Sequence, residues 1–481
     1  MTRVVVGPFN RVEGDLEVAL EVEDGAVRSA QVSSPLYRGF ETILEGKAAL
    51  DALVIVPRVC GICSVSQSAA AAGALADLAG LAPPPNGLLA TGLVQAAENL
   101  ADHLTHFYLF FMPDFAREAY AARGWHPAAL RRFQAMRGTA GAEVLGARAR
   151  FLGIMGILAG KWPHTLALQP GGTSRPVDRA EKTQLVLALR TFRRFLERAF
   201  LGDALEAFAA LGSASALDAW LDARGAGASD LALFLAIARD LGLARLGRAA
   251  DAFMSYGAYP GTDGALLFPR GVFDGAPAPL DPEAIREDVS HAWLGDAPPR
   301  HPRQGETLPV PDKPGAYTWC KAPRLGGKPF EVGALARQVV AGHPLARDLV
   351  AQGGGNVLSR VVARALELCL VVPAMERWAS ALEPGEPFCA RADPFRDGAG
   401  AGLTEAARGS LGHWVTLRDG AIDRYQIVAP TTWNFSPRDA EGRPGPLERA
   451  LVGTPAGEGE AAVAVQHVVR SFDPCMVCTV H

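Results

Sequence analysis

Two Cys-x-x-Cys pairs stand far apart in this chain, Cys60–Cys63 and Cys475–Cys478, with more than four hundred residues between them. A spacing of three puts both sulfurs of a pair on one side of a turn, where they can bind one metal. Gly61 lets the backbone come close to whatever the thiolates hold, and Pro474 fixes the backbone just before a ligand. Four thiolates suit zinc, iron–sulfur or a soft transition metal. Each pair borders apolar sequence, which places the metal in the main core. A structural zinc site made of two knuckles is the ordinary alternative. It usually staples a small, poorly cored unit, and 481 residues need no such staple. A thioredoxin-like role for Cys60 and Cys63 lacks the expected strand–helix context of a small βαβ domain.

The other cysteines, Cys320, Cys369 and Cys389, are isolated. An odd total of seven does not read as a secreted disulfide framework. Buried structural thiols are the default for these three, Cys369 above all, since it lies within LELCLVV. The opening MTRVVVGPFNRVEG is too weakly apolar for a signal peptide, and no stretch reaches the length of a membrane span. We therefore expect a soluble protein. A formal net charge of -4 leaves no polycation for nucleic acid.

Along the chain, LEVALEVEDGAVRSAQV alternates with period two around Asp24-Gly25, a hairpin signature within a small antiparallel sheet over about residues 3–35. A short helix follows in YRGFETILEG, to Gly46. Helix is expected from Asp51 until Pro83–Pro85 end it, from Gly87 to Met112, and from Asp178 to about Leu211. The alanine-rich tracts favour helix and allow close helix approach. Residues 255–330 read as short strands and loops. Helices resume at 332–347 and about 355–383. Gly398, Gly400, Gly402 and Gly409 flank a segment holding Arg408, and LGHWVTLRDGAIDRYQIVAP predicts a second hairpin turning at Asp419-Gly420. A last helix is expected at about 445–468. The sum is α+β: one unit over 1–481, with an N-terminal sheet and first helix (1–50), a helical core (51–250), a mixed excursion (251–330) and a final helix–hairpin–metal segment (331–481).

RVCGIC and DPCMVCTVH resemble the two signature motifs of nickel–iron hydrogenase large subunits, and FNRVEG, YRGFE, DHLTHFY, ARGSLGHW and PTTWNFSPRD resemble further family segments in the same order. The resemblance covers the whole length. It implies that Cys60 and Cys475 are terminal nickel ligands, and that Cys63 and Cys478 bridge nickel to an iron carrying two cyanides and one carbon monoxide. It implies heterolytic cleavage of dihydrogen there. It implies Glu13 as a proton relay, Arg408 over the open metal position, and Asp102 and Asp473 as acids orienting that arginine. Glu41 and His481 match ligands of a remote magnesium-like site. Taken alone, Glu13 reads as an exposed strand residue and Asp102 as a surface helix residue.

Three departures point to a subtype. Gln67 stands where many members have histidine, Asp15 follows RVEG where histidine is common, and Ala407 replaces a frequent proline. The chain ends at His481, where catalytic members are commonly made with an extension that is later removed; either it was trimmed here or the gene lacks it. The Gln67 variant, together with the absent extension, resembles the hydrogen-sensing, regulatory branch, whose members are cytoplasmic and signal to a histidine kinase. An energy-conserving uptake hydrogenase is the alternative. An electron-transfer relative without nickel is a third reading, but such relatives usually lose the cysteines. No further cysteine cluster is present to carry electrons away, so a small subunit holding iron–sulfur clusters is expected as partner.

Overall fold

Asp24 and Gly25 both adopt positive φ, the geometry of a tight hairpin turn, and join strands β2 (Glu17–Glu23) and β3 (Ala26–Ser33). Strand β1 (Thr2–Val6) pairs antiparallel with β2, completing a three-stranded sheet. The computed structural model describes residues 2–391 and 395–479.

Helix α1 (Ser64–Ala79) begins directly after Cys63 and ends on left-handed Gly80, before the prolines expected to stop it. Pro85 opens the next helix instead, as suits its fixed φ and missing N–H. That helix, α2 (Pro85–Thr105), is buried along most of its length and continues into a π-helical turn over His106–Phe111. The helix expected over 178–211 is broken. Its first part, α3 (Arg179–Phe195), starts with a capping box in which Asp178 Oδ1 accepts from Glu181 N at 2.8 Å and Glu181 Oε2 accepts from Asp178 N at 3.0 Å. A π turn at Leu196–Leu201 then ends on left-handed Gly202. Short strands and loops do fill the region after residue 250. Helix α4 (Val357–Ala381) crosses the centre with Pro373 inside it. The final helical stretch is two pieces, Pro446–Leu451 and α5 (Glu460–Ser471).

The glycines before Arg408 do not form a loop. They belong to strand β4 (Gly398–Ala406), which pairs with β5 (Gly409–Arg418), itself paired with β6 (Ala421–Val428) around Asp419-Gly420. The reason lies in α1. A Cβ on Gly400 would fall 2.2 Å from Ala74 O, and one on Gly402 would fall 1.9 Å from Ala70 O. Only glycine lets this strand lie on the alanine face of the helix.

The largest apolar cluster surrounds α2, α3, α4 and α5. A second lies between α1 and the β5–β6 hairpin, and it contains Cys60, Cys63, Cys475 and Cys478 beside Val56, Leu75, Leu411, Val415 and Ile427. The four thiols therefore lie within a dry layer between two elements. Cys320 and Cys369 are buried, and burial raises both thiols; Cys389 is only partly buried. Among the described residues, no helix is long and apolar enough to cross a membrane.

Candidate metal centre

The four cysteine sulfurs converge, all lying within 4.8 Å of one another, and all four residues are buried. Cys60 Sγ is 3.4 Å from Cys475 Sγ, Cys63 Sγ is 3.3 Å from Cys478 Sγ, and Cys475 Sγ is 3.1 Å from Cys478 Sγ. Hydrogen bonds from the other three thiols hold Cys60 well below its ordinary value. A thiolate is the ligand form, so four sulfurs at such spacing in an apolar layer fit a soft metal.

Backbone contacts hold the two motifs together. Met476 N donates to Glu13 O at 2.7 Å, and Glu13 bridges Cys475 in a parallel pairing. Arg38 Nη1 donates to Val59 O and, at 3.3 Å, to Val477 O, while its Nη2 donates to Arg58 O at 3.0 Å. One guanidinium thus spans both motifs. Glu98 on α2 caps the start of α1, accepting from Val65 N at 2.8 Å and Ser66 N at 2.9 Å, and it also accepts from Trp162 Nε1 at 2.9 Å. Its burial raises the carboxyl to about 7.

Arg408 occupies the two-residue tip between β4 and β5, where Ala406 pairs with Gly409. Its Nε donates to Asp473 O at 2.9 Å and its Nη2 to Asp473 Oδ1 at 3.1 Å; Nη1 and Nη2 reach the two oxygens of Asp102. All three residues are buried. Burial raises Asp102 to about 7 against the pull of Arg408. Burial also acts on Asp473, but Arg408, with His106 and Arg364 beyond it, outweighs burial and holds that carboxyl low. Glu13 is half-buried. Burial, then the charge of Cys60, raises its carboxyl against the opposing pull of Arg408 and Arg38. Neither Glu13 nor Asp102 is the exposed residue that its local sequence suggests.

Glu41 is buried away from the thiols. Its oxygens accept from Ile427 N at 2.9 Å, Lys321 Nζ at 2.9 and 3.2 Å, and Thr307 Oγ1. Lys321 Nζ also lies 3.7 Å from Glu287, whose burial raises it to about 7. The Lys321 ammonium thus faces both carboxyls. A cavity of about 80 Å³ adjoins Glu287, Lys321 and Gln426. His481 lies outside the described residues.

A further buried network went unseen in the sequence. Arg337 binds Glu367 twice, at 2.8 and 3.0 Å, and Glu405 at 2.8 Å, and it donates to Ala406 O at 2.9 Å and Ala407 O at 3.1 Å. It holds the two carbonyls immediately before Arg408.

Residues 38–130 and 228–481 match the nickel-dependent hydrogenase family. The chain belongs to that family. As a nickel-dependent hydrogenase it is an enzyme, and its relatives extend over its full length. It is 29% identical to the periplasmic NiFeSe hydrogenase large subunit of Desulfomicrobium baculatum, covering 100% of this chain and 95% of that one. It is 27% identical to the hydrogenase-2 large chain of Escherichia coli strain K12, covering 100% and 97%. The reduced Ni-Fe-Se hydrogenase of D. vulgaris Hildenborough superposes with a TM-score of 0.84 at 30% identity, over 100% of each chain. The helix-rich α+β architecture is thus that of a hydrogenase large subunit, and the four converging sulfurs fit a nickel–iron centre.

Proposed function

We propose that this hydrogenase is the large subunit of a hydrogen-sensing, regulatory enzyme, cytoplasmic and coupled to a histidine kinase. The observation that carries the sensor reading is Gln67, buried one helical turn after Cys63 and hydrogen-bonded to His413 at 2.9 Å. An energy-conserving uptake enzyme is the second reading, and the relative named a quinone-reactive Ni/Fe-hydrogenase large chain, from Wolinella succinogenes, favours it.

In this proposal Cys60, Cys63, Cys475 and Cys478 would together hold a nickel–iron centre, whose iron would carry two cyanides and one carbon monoxide. When bound, that centre supplies heterolytic cleavage of dihydrogen into protons and electrons. The chain's own residues do the rest. Arg408, clamped by Asp102 and Asp473, presents a fixed cation to the anionic sulfurs. Glu13, whose affinity for a proton is raised, takes the proton at a carboxylate oxygen and passes it outward. Glu41, with His481, holds a magnesium-like ion beneath the core.

Electrons leave to a small subunit with iron–sulfur clusters. The exposed Leu36, Ile43, Leu50 and Val54, on the segment leading to the first motif, support a partner docked there.

Infrared spectra of the purified complex under argon and then hydrogen test the proposal. One carbonyl and two cyanide bands that shift with hydrogen are expected, with the response persisting immediately after oxygen exposure. Zinc in place of nickel, with no such bands, would overturn the nickel–iron assignment. Bands that respond only after prolonged reduction would overturn the sensor assignment in favour of the uptake type.

A further inference from the structure

Two buried guanidiniums meet at one turn. The tip between β4 and β5 carries Arg408, with Ala406 and Ala407 just before it. Arg337 reaches the same tip from the helix Ala334–Ala341, and its side chain is fully buried. Its Nη1 donates to Ala406 O at 2.9 Å and its Nη2 to Ala407 O at 3.1 Å. Those carbonyls belong to the two peptide planes that lead into Arg408. With both planes held, the direction in which the Arg408 side chain leaves the backbone is held as well.

The other donors of Arg337 go to carboxylates. Nε and Nη2 grip Glu367 on α4 at 3.0 and 2.8 Å, and Nη1 takes Glu405 on β4 at 2.8 Å. A guanidinium has five N–H bonds, and each has an acceptor here. Burial opposes the Glu367 charge, but Arg337 and His103 outweigh it and hold that carboxyl down at about 2. Glu405 turns its second oxygen, Oε1, to Tyr256 N at 2.8 Å, Ser410 Oγ at 2.6 Å and Ser255 Oγ at 3.2 Å. Ser410 pairs with Glu405 across the hairpin, so one carboxylate ties Arg337 to both strands of the tip. The helix also closes on the tip directly: a Cβ on Gly409 would fall 2.6 Å from Gly333 N.

Arg408 uses a separate set of acceptors, on Asp102 and Asp473. Burial disfavours its charge, yet Asp102, Asp473 and the Cys475 and Cys63 sulfurs outweigh burial, so it stays cationic. One arginine thus answers the sulfur layer. The other answers carboxylates and the backbone that carries the first.

We propose that Arg337 is a positioning residue for the hydrogenase reaction: by locking the two peptide planes ahead of Arg408, it sets where that cation stands against the metal-binding sulfurs. A lysine would answer the carboxylates but not both carbonyls as well, because it is a point charge with three donors and no fork. The inference rests on the reading of Arg408 as the cation that serves the nickel–iron centre.

Arg337→Lys in the loaded complex tests it. Dye-linked hydrogen oxidation, normalised to nickel, should fall roughly ten- to hundredfold, the loss that follows a misplacement of about 1 Å. The same substitution on top of Arg408→Lys should cost far less, because no guanidinium is left for Arg337 to place. The infrared carbonyl band should move in the same direction in both single variants. A purely structural Arg337 would lower nickel content or the unfolding midpoint and leave turnover per nickel at the parent's level, which would overturn the proposal. Losses that multiply in full in the double variant would overturn it too, as would a carbonyl band moved by Arg408→Lys and unmoved by Arg337→Lys. Should Arg337→Lys fail to load, Glu405→Gln takes its place. Three donors keep the amide oxygen at the Oε1 position, so the amide nitrogen faces Nη1, the group that holds Ala406 O. Turnover per nickel should again fall, and parental turnover would overturn the proposal. Arg408→Lys at parental turnover would instead overturn the reading of Arg408 on which the proposal rests. Absence of carbonyl and cyanide bands from the metal-loaded parent would overturn the nickel–iron reading itself.

Discussion

The backbone carbonyl of Glu13 accepts the N–H of Met476 at 2.7 Å. Two segments more than four hundred residues apart thus form one short parallel pairing, and the second cysteine motif depends on the first strand region for its position. Replacing Cys475 by serine removes one of the four converging sulfurs. Nickel per chain, measured by elemental analysis of the purified complex, should fall close to zero. Full nickel retention would remove Cys475 from the ligand set.

Arg408→Lys keeps the charge and loses the fork that grips Asp102 and Asp473 together. Charge-assisted hydrogen bonds contribute about 1.5–3 kcal/mol each, so loss of one costs roughly ten- to hundredfold in turnover. Dye-linked hydrogen oxidation, normalised to nickel content, reads this. Unchanged turnover would exclude a role for the bidentate clamp.

Asp114 is buried and takes ion pairs from Arg11, Arg117 and Arg470. Arg470 also donates to Asn10 O at 2.9 Å, so this cluster ties the start of the chain to α5. Asp114→Asn leaves buried guanidinium charge uncompensated, at a cost of about 3–5 kcal/mol. Urea unfolding should show a matching drop in midpoint, and an unaltered midpoint would contradict the account.

Glu448 accepts from Val32 N at 3.0 Å and from Tyr317 Oη at 2.8 Å, and burial raises its carboxyl to about 7 from an ordinary 4.5. A raised carboxyl binds its proton more tightly in the folded chain. Its contribution is therefore complete below pH 4.5 and declines as pH rises to 7. Glu448→Gln abolishes that decline. Relative to the parent, the variant should gain up to about 3 kcal/mol in unfolding free energy between pH 4.5 and pH 7. Parallel curves for the two proteins would disprove it.

Gly402→Ala would drive a Cβ to 1.9 Å from Ala70 O and force β4 off α1. Backbone cannot yield as a side-chain tip does, so destabilisation of about 1–3 kcal/mol or more is expected. Thermal unfolding of the variant measures it, and a melting temperature equal to the parent's would mean that strand and helix can separate freely.

Local signals in the sequence were sufficient where the structure is itself local. Asp24-Gly25 and Asp419-Gly420 mark their hairpins because a tight turn demands positive φ at those residues. The cysteine pairs are legible as metal ligands because a spacing of three already brings two sulfurs together. Strand β4 was not legible. Gly400 and Gly402 carry poor strand propensity, and the reason for them is a helix more than three hundred residues earlier. Glu13, Asp102 and Arg408 came together only through the family resemblance, since nothing near any of them names the others. Arg337, Arg38 and Glu98 escaped notice for a related reason. A charge within a helical or loop stretch looks solvated until the fold buries it against carbonyls and amides.

The sulfur cluster also imposes an order in time. Cys60 and Cys475 lie 415 positions apart, and at about 5–20 residues per second their appearance on the ribosome differs by roughly 20–80 s. Throughout that interval Cys60 and Cys63 exist as half of a binding site, with the opposite wall not yet made. No nascent chain can hold a metal by all four sulfurs before Cys478 has been made, so capture by this quartet waits on the second pair, and whatever delivers the metals must find the chain before that segment closes over them.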